Sequence, residues 1–272
     1  MNMITDEIAL ALARLGIGAG SALSFRNRLR NGAFTVNQRA VSGTVTLAAG
    51  VYGHDGFKAG SGGCTYTFAK TNGVTFITIT AGTLLQIVPG THYLPEGGAY
   101  TASWLGTAQA RINGGAYTAS PQTVLNIVPE ANTTIEWGTG TLARPQFEPG
   151  TAPSLFEVRD DELWRCQRWF SKSYPHGVAP GAVSSAGTAA RFALNSYGFY
   201  DGLIRFPRSM ASTPQITAYN HSTGAAATWH FSSGDKAVAV QSVSTEGWEP
   251  TGNNTWPPGD YTYPNWTASC EP

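Results

Sequence analysis

The residues best equipped to contact a ligand cluster near the C-terminus, in GWEPTGNNTWPPGDYTYPNW (247–266). Trp248, Trp256 and Tyr261 supply flat rings, and Asn253 and Asn254 supply amides. Rings that stack on C–H faces, beside amides that bond hydroxyls, form the chemistry of a saccharide site. Trp256 runs into Pro257-Pro258-Gly259. That sequence cannot continue a central strand, so the ring is expected at an exposed loop tip. A secondary set, Tyr100, Trp104 and Tyr117, lies in or beside two copies of GGAYTAS, at 97–103 and 114–120.

Catalytic chemistry finds less support. His54 and Asp55 are adjacent, and a carboxylate can orient an imidazole, but no nucleophile elbow accompanies them. The pair reads as part of a turn or strand end. His92, His176, His221 and His230 are scattered without metal-ligand spacing. Glycoside hydrolysis needs two carboxylates facing across a cleft, and no spacing here brings two together. Cys64, Cys166 and Cys270 form neither a zinc set nor a disulfide framework. The expectation is a protein that is not an enzyme, with no catalytic residue, no metal and no cofactor.

The elements that must carry these residues follow from composition and periodicity. Charged residues are 12% of the 272, and Lys plus Arg equals Asp plus Glu at 17 each. No net field favours nucleic acid, and no apolar run is long enough to insert in a membrane. The many Gly residues, 32 in all, separate short β-branched and aromatic runs such as VSGTVTLAAG, CTYTFAK, VTFITITAG and TTIEWGTG. These predict a chain that is mainly β, a jelly-roll-type sandwich of short antiparallel strands. The two GGAYTAS copies, 17 residues apart, suit successive strands.

Two segments break the period of two. Near the start, Thr5 can cap a helix with Asp6 and Glu7 in its first turn, and Gly16, Gly18 and Gly20 end it. Its apolar stripe is Ile4, Ile8, Leu12 and Leu15. The two acids stand where a signal peptide would have Lys or Arg. Such a stripe either folds back on its own domain or bundles with sister chains as an anchor. The anchor reading is adopted. In the middle, Leu163, Cys166 and Phe170 have helical spacing within DELWRCQRWF, which predicts a helix over 160–171.

Three stretches carry a resemblance. Asn31, Gly32, Phe34, Gln38 and Arg39 open one, and Gln146, Glu148, Gly150, Phe156, Glu157 and Arg159 form the second. Glu162, Cys166, Gln167 and Arg168 form the third. Together they resemble a module of bacteriophage tail-fibre and related adhesin proteins, including those of phage-derived gene transfer particles. RFPRSMASTPQITAYNHSTG and DYTYPNWTASCEP resemble the first and last strands of the small β-domain that follows. The chain departs from the pattern at Gly56, where the family carries Arg after Asp, so a salt bridge from that arginine is absent.

The resemblance implies an N-terminal anchor over 1–26 and a carbohydrate-binding-like jelly roll over 27–158. A linking helix over 159–171, with Trp164, Trp169 and Phe170 covering the seam, would lead to a receptor-facing C-terminal β-sandwich over 172–272. It implies a virion fibre or spike adhesin made in the bacterial cytoplasm. Its expected partners are sister chains in a homotrimer, other virion proteins of the tail, baseplate or capsid vertex, and host cell-surface polysaccharide. The alternative is a structural decoration or baseplate component that binds no glycan.

Overall fold

The structure is a computed structural model that describes residues 26–199 and 202–272. The anchor stripe Ile4, Ile8, Leu12 and Leu15 therefore lies outside the described residues. The chain is mainly β, with sheets in a sandwich-like arrangement. It divides into two compact units that do not follow chain order. Among the described residues, unit 1 holds 26–35, then Ser42–Tyr52 and Phe57–Asp160. Unit 2 holds Val36–Val41, Gly53–Gly56 and Asp161–Pro272. The division differs from the simple sequential boundaries read from the sequence, because two N-terminal segments belong to the C-terminal unit.

Unit 1 contains β1 (Val45–Leu47), β2 (Lys58–Thr71), β3 (Val74–Val88), α1 (Gly90–Tyr93), β4 (Gly98–Leu105), β5 (Ala110–Ile112), β6 (Gln122–Ile127), β7 (Thr133–Trp137) and β8 (Gly140–Pro149). Asn72 and Gly73, both at positive φ, close the β2–β3 hairpin with Thr71 opposite Val74. Asn-Gly suits this two-residue turn because its twist matches that of the strands. The long β3 is the hub: Ile77–Ile79 pair with β8, and Leu84–Val88 pair with β7. Beyond these, β8 carries β4 and then β6, while β7 carries β5. Ile77, Ile79, Leu84, Ile135 and Trp137 are buried, as are Phe57, Trp104 and Phe147, and Trp137 packs on Phe57 and Trp104 with centroids 6.0 and 6.3 Å away.

Residues in and beside the first two motifs serve this framework. Asn27 Oδ1 accepts the Leu29 and Phe147 amides at 3.0 Å, and its Nδ2 donates to Pro145 O. Gly32 lies so close to β8 that a Cβ there would fall 2.6 Å from Pro145 O. The fully buried Glu148 accepts the amide and hydroxyl of Ser154 and pairs with Arg26 at 3.3 Å. These groups satisfy buried polar atoms that water cannot reach.

Unit 2 contains α2 (Glu162–Gln167), β9 (Phe170–Lys172), β10 (Arg191–Phe192), β11 (Ile204–Arg205), β12 (Gln215–Tyr219), β13 (Thr228–Phe231), β14 (Gly234–Ala237), β15 (Ala239–Gln241), β16 (Gly247–Thr251), β17 (Tyr261–Thr262) and β18 (Asn265–Ser269). The helix is shorter than the predicted 160–171, because β9 begins three residues after its end and pairs with β18. Trp169 and Phe170 are buried, whereas Trp164, expected with them, is exposed with the Arg208 guanidinium stacked 3.9 Å from its ring centroid. Four tryptophans, Trp229, Trp248, Trp256 and Trp266, form the centre of the unit with Phe199, Phe206 and Phe231.

The inserted N-terminal segments supply a buried polar knot within unit 2. Asp55 accepts the Gln38 amide at 2.6 Å and the Gln38 side chain at 2.7 Å. Gln38 Nε2 also donates to Phe170 O. Arg39 pairs with Glu271 and lies over the Phe170 ring, 3.8 Å from its centroid. The Gly56 backbone amide donates to Glu271 Oε1 at 3.3 Å. Burial raises the Asp55 carboxyl, against the pull of Arg39 and the Gln38 hydrogen bonds. Burial also lowers His54 to about 4. Both residues of the pair are buried, and Asp55 holds Gln38 in place.

Candidate functional site

The structure corrects the leading ligand candidates. Trp256 is 1% exposed and Trp248 wholly buried. Trp256 packs on Phe199, Trp229 and Phe231 at 4.8–5.6 Å between ring centroids, and its indole donates to Ala237 O at 3.0 Å. The Pro-Pro-Gly after it does break the strand, but the chain folds inward before it does so. Gly252 makes room, since a Cβ there would sit 2.3 Å from the Trp256 ring. Tyr100 and Trp104 are also core residues: Tyr100 stacks on Phe147 at 4.9 Å, and Trp104 bonds Ala108 O. None of these four rings can offer a face to a ligand.

Tyr261, Asn253 and Asn254 are exposed, and Tyr117 is half-buried on unit 1. Asn253 and Asn254 both adopt positive φ and form a turn. Asn254 Oδ1 accepts Ser196 Oγ at 2.7 Å, which ties the turn to the exposed loop bearing Tyr197.

Tyr261 is part of a string of rings along the surface of unit 2. It stands directly opposite Phe192 in the β10–β17 pair, with centroids 5.8 Å apart. Phe192 is 53% exposed and Tyr261 44%. Two residues along, on the same side of the chain, Tyr263 meets Tyr261 edge to face at 6.0 Å. His221 packs on Tyr263 at 5.1 Å and on His230 at 5.6 Å. The string ends in a charge, because His230 Nδ1 lies 2.6 Å from Asp235 Oδ1 across the β13–β14 hairpin.

Its geometry is held from below and from the side. The buried Phe199–Trp229–Trp256 stack supports unit 2 from within. Asp260 accepts Ser232 Oγ at 2.7 Å, the Ser233 amide at 3.2 Å and the Tyr261 amide at 2.7 Å, linking the hairpin tip to β17. Burial works to raise the Asp260 carboxyl, but these hydrogen bonds prevail and hold it below its ordinary value. The hydrogen bond from His230 holds Asp235 low as well. Burial, with the nearby His230, lowers His221, whose Nδ1 has no hydrogen-bond partner among the described residues. The result is a row of rings with ionised carboxylates at hand, able to stack on an apolar face and accept hydrogen bonds from hydroxyls.

Sequence reasoning singled out Tyr261 as a contact candidate but did not bring it together with Phe192, Tyr263, His221, His230 and Asp235. Part of the string was legible, since Tyr261 and Tyr263 alternate in YTY and TWHFSSGDKA carries a hairpin signal. The meeting of Phe192 with Tyr261, 69 positions along the chain, required the fold. No protein-family model matches this chain, and neither the curated proteins nor the solved structures yield a match.

Proposed function

We propose that this protein is a non-enzymatic adhesin of a virion or virion-derived particle, held to the particle through its N-terminal segment and binding surface glycan through unit 2. The observation that carries the ligand half is the string Phe192–Tyr261–Tyr263–His221–His230, exposed at Phe192 and Tyr261 and half-buried beyond them, with exposed Asp235 at its end. Monomeric surfaces seldom carry a run of exposed rings without a partner for it. The motif resemblance over most of the chain supports the particle half, with a homotrimer of identical chains as the assembly.

The test is binding of the full chain to a panel of extracted bacterial capsules and lipopolysaccharides, wild type against Tyr261→Ala and Phe192→Ala/Tyr261→Ala. Both variants should melt like the wild type, because the rings removed are exposed. Saturable binding should weaken about tenfold or more, the scale of one lost aromatic anchor. Saturable binding that neither variant weakens would place the ligand elsewhere. Normal particle incorporation with no binding to any polysaccharide would make the protein a structural component.

A further inference from the structure

Unit 1 carries a second chemically distinct surface. Register lines up Lys58 of β2, Leu85 of β3, Glu136 of β7 and Arg111 of β5 as one continuous cross-strand row. The neighbouring row, Ala59, Leu84, Trp137 and Ala110, is wholly buried. Because side chains alternate between sheet faces, the Lys58–Arg111 row belongs to the outer face. It spans three strand spacings, about 14 Å.

The row is more organised than a solvated sheet face requires. Arg111 donates from Nε to Glu136 Oε2, with Nη2 also 2.8 Å from that oxygen. Tyr117 donates its hydroxyl to the other oxygen, Oε1, at 3.2 Å. The guanidinium carbon lies 4.9 Å from the Tyr117 centroid, so the cation is held between a carboxylate and a ring. Its Nη1 has no hydrogen-bond partner among the described residues, and the side chain is 34% exposed. At the other end of the row, the Lys58 ammonium stands over the Tyr52 ring at 5.5 Å. Gly60 keeps the floor flat: a Cβ there would fall 2.0 Å from Thr83 Oγ1 and 3.2 Å from Glu136 Oε1. Glycine within a strand marks such close approaches.

Glu136 is largely buried, so its hydrogen bonds to Arg111 and Tyr117 satisfy the carboxylate, but they use only Nε and Nη2 of the fork and leave Nη1 over. The chemistry is that of a fixed fork with a free outer edge, a ring beside it, an apolar floor at Leu85 and a second cation across the floor. The unpartnered Nη1 edge of Arg111 favours an anion.

The geometry points to this face of unit 1 as a binding site for an acidic saccharide, with its carboxylate on the free edge of Arg111 and its ring face against Tyr117. Lys58 sets the far limit of the site. This surface shares no residue with the ring string of unit 2 and does not rest on the glycan reading of that string.

The test is calorimetric titration of the full chain with trigalacturonate, a hyaluronan tetrasaccharide and an α2,8-linked trisialate, each beside its methyl ester. At least one acid should bind, with its ester about tenfold weaker or worse, the scale of one charge-assisted hydrogen bond. Arg111→Gln should lose as much, and Arg111→Lys should recover only part because it keeps the charge without the fork. Tyr117→Leu gives an independent reading from the ring side. Tyr261→Ala should leave acid binding intact, which separates this site from the unit 2 string. The proposal fails if no acid binds, if ester and acid bind alike, or if the Arg111 and Tyr117 variants both bind like the wild type.

Discussion

At the residue scale, Trp256 and His54 show how burial reverses the role a side chain suggests. Removing the Trp256 ring takes away the contacts with Phe199, Trp229 and Phe231 and leaves a cavity in the centre of unit 2. Trp256→Ala should therefore destabilise by about 3–5 kcal/mol in urea unfolding, the usual range for a buried large aromatic. Tyr261→Ala should shift the same curve little. His54 gives a pH dependence of known sign. Its folded pKa of about 4 lies below the ordinary His value, so between about 6.5 and 4 the unfolded chain binds a proton that the folded chain does not. Stability is fully present above about pH 6.5 and is lost as the pH falls toward 4. The His54 share of that loss is about 3 kcal/mol. Urea midpoints measured across this range should fall, and His54→Gln should flatten the slope.

At the element scale, the hairpins depend on where glycine is required. Gly73 at φ 80° has open space around it, whereas Gly82 at φ 68° faces Gly63 O only 2.1 Å from where a Cβ would be. Gly73→Ala should cost about 1–2 kcal/mol, the strain of the left-handed backbone alone. Gly82→Ala carries the same strain and also forces β2 and β3 apart at the bulge, so its loss in denaturant midpoint should be clearly larger. The two GGAYTAS copies make the complementary point. The first forms β4, with Tyr100 and Ala102 buried. The second is a turn and loop touching β5 by a single bridge at Thr118, and its Tyr117 faces outward onto Arg111. Identical residues take different conformations because β4 lies between β8 and β6, while the second copy follows the Asn113-Gly114 turn.

At the scale of the whole molecule, unit 2 is assembled from both ends of the chain. Gln38, Arg39 and Gly56 reach residues more than a hundred positions away, with Glu271 holding both Arg39 and the Gly56 amide. A chain ending at Cys270 should lose about 3 kcal/mol or more, because Arg39 would be left largely buried without its carboxylate. A fragment over 161–272 lacks the whole knot and should show no cooperative unfolding transition, whereas the chain from residue 26 should. Local pattern by itself determined the class of this protein: alternation, Asn-Gly turns and the scarcity of charge specify short antiparallel strands. The motif residues Asn31, Gln38, Gln146 and Glu148 were visible as a set, and the structure places all of them in buried positions. What only the tertiary structure decided is which rings are inside and which are out. Trp256 and Tyr261 both lie in a Pro- and Gly-rich stretch with the same composition around them. One is drawn into the core because Phe199 and the β13 residues Trp229 and Phe231 converge there. The other stays out because its strand partner, Phe192, is itself at the surface. Burial is a property of the neighbours, and the neighbours are brought by register and sheet order, which no local run of residues encodes.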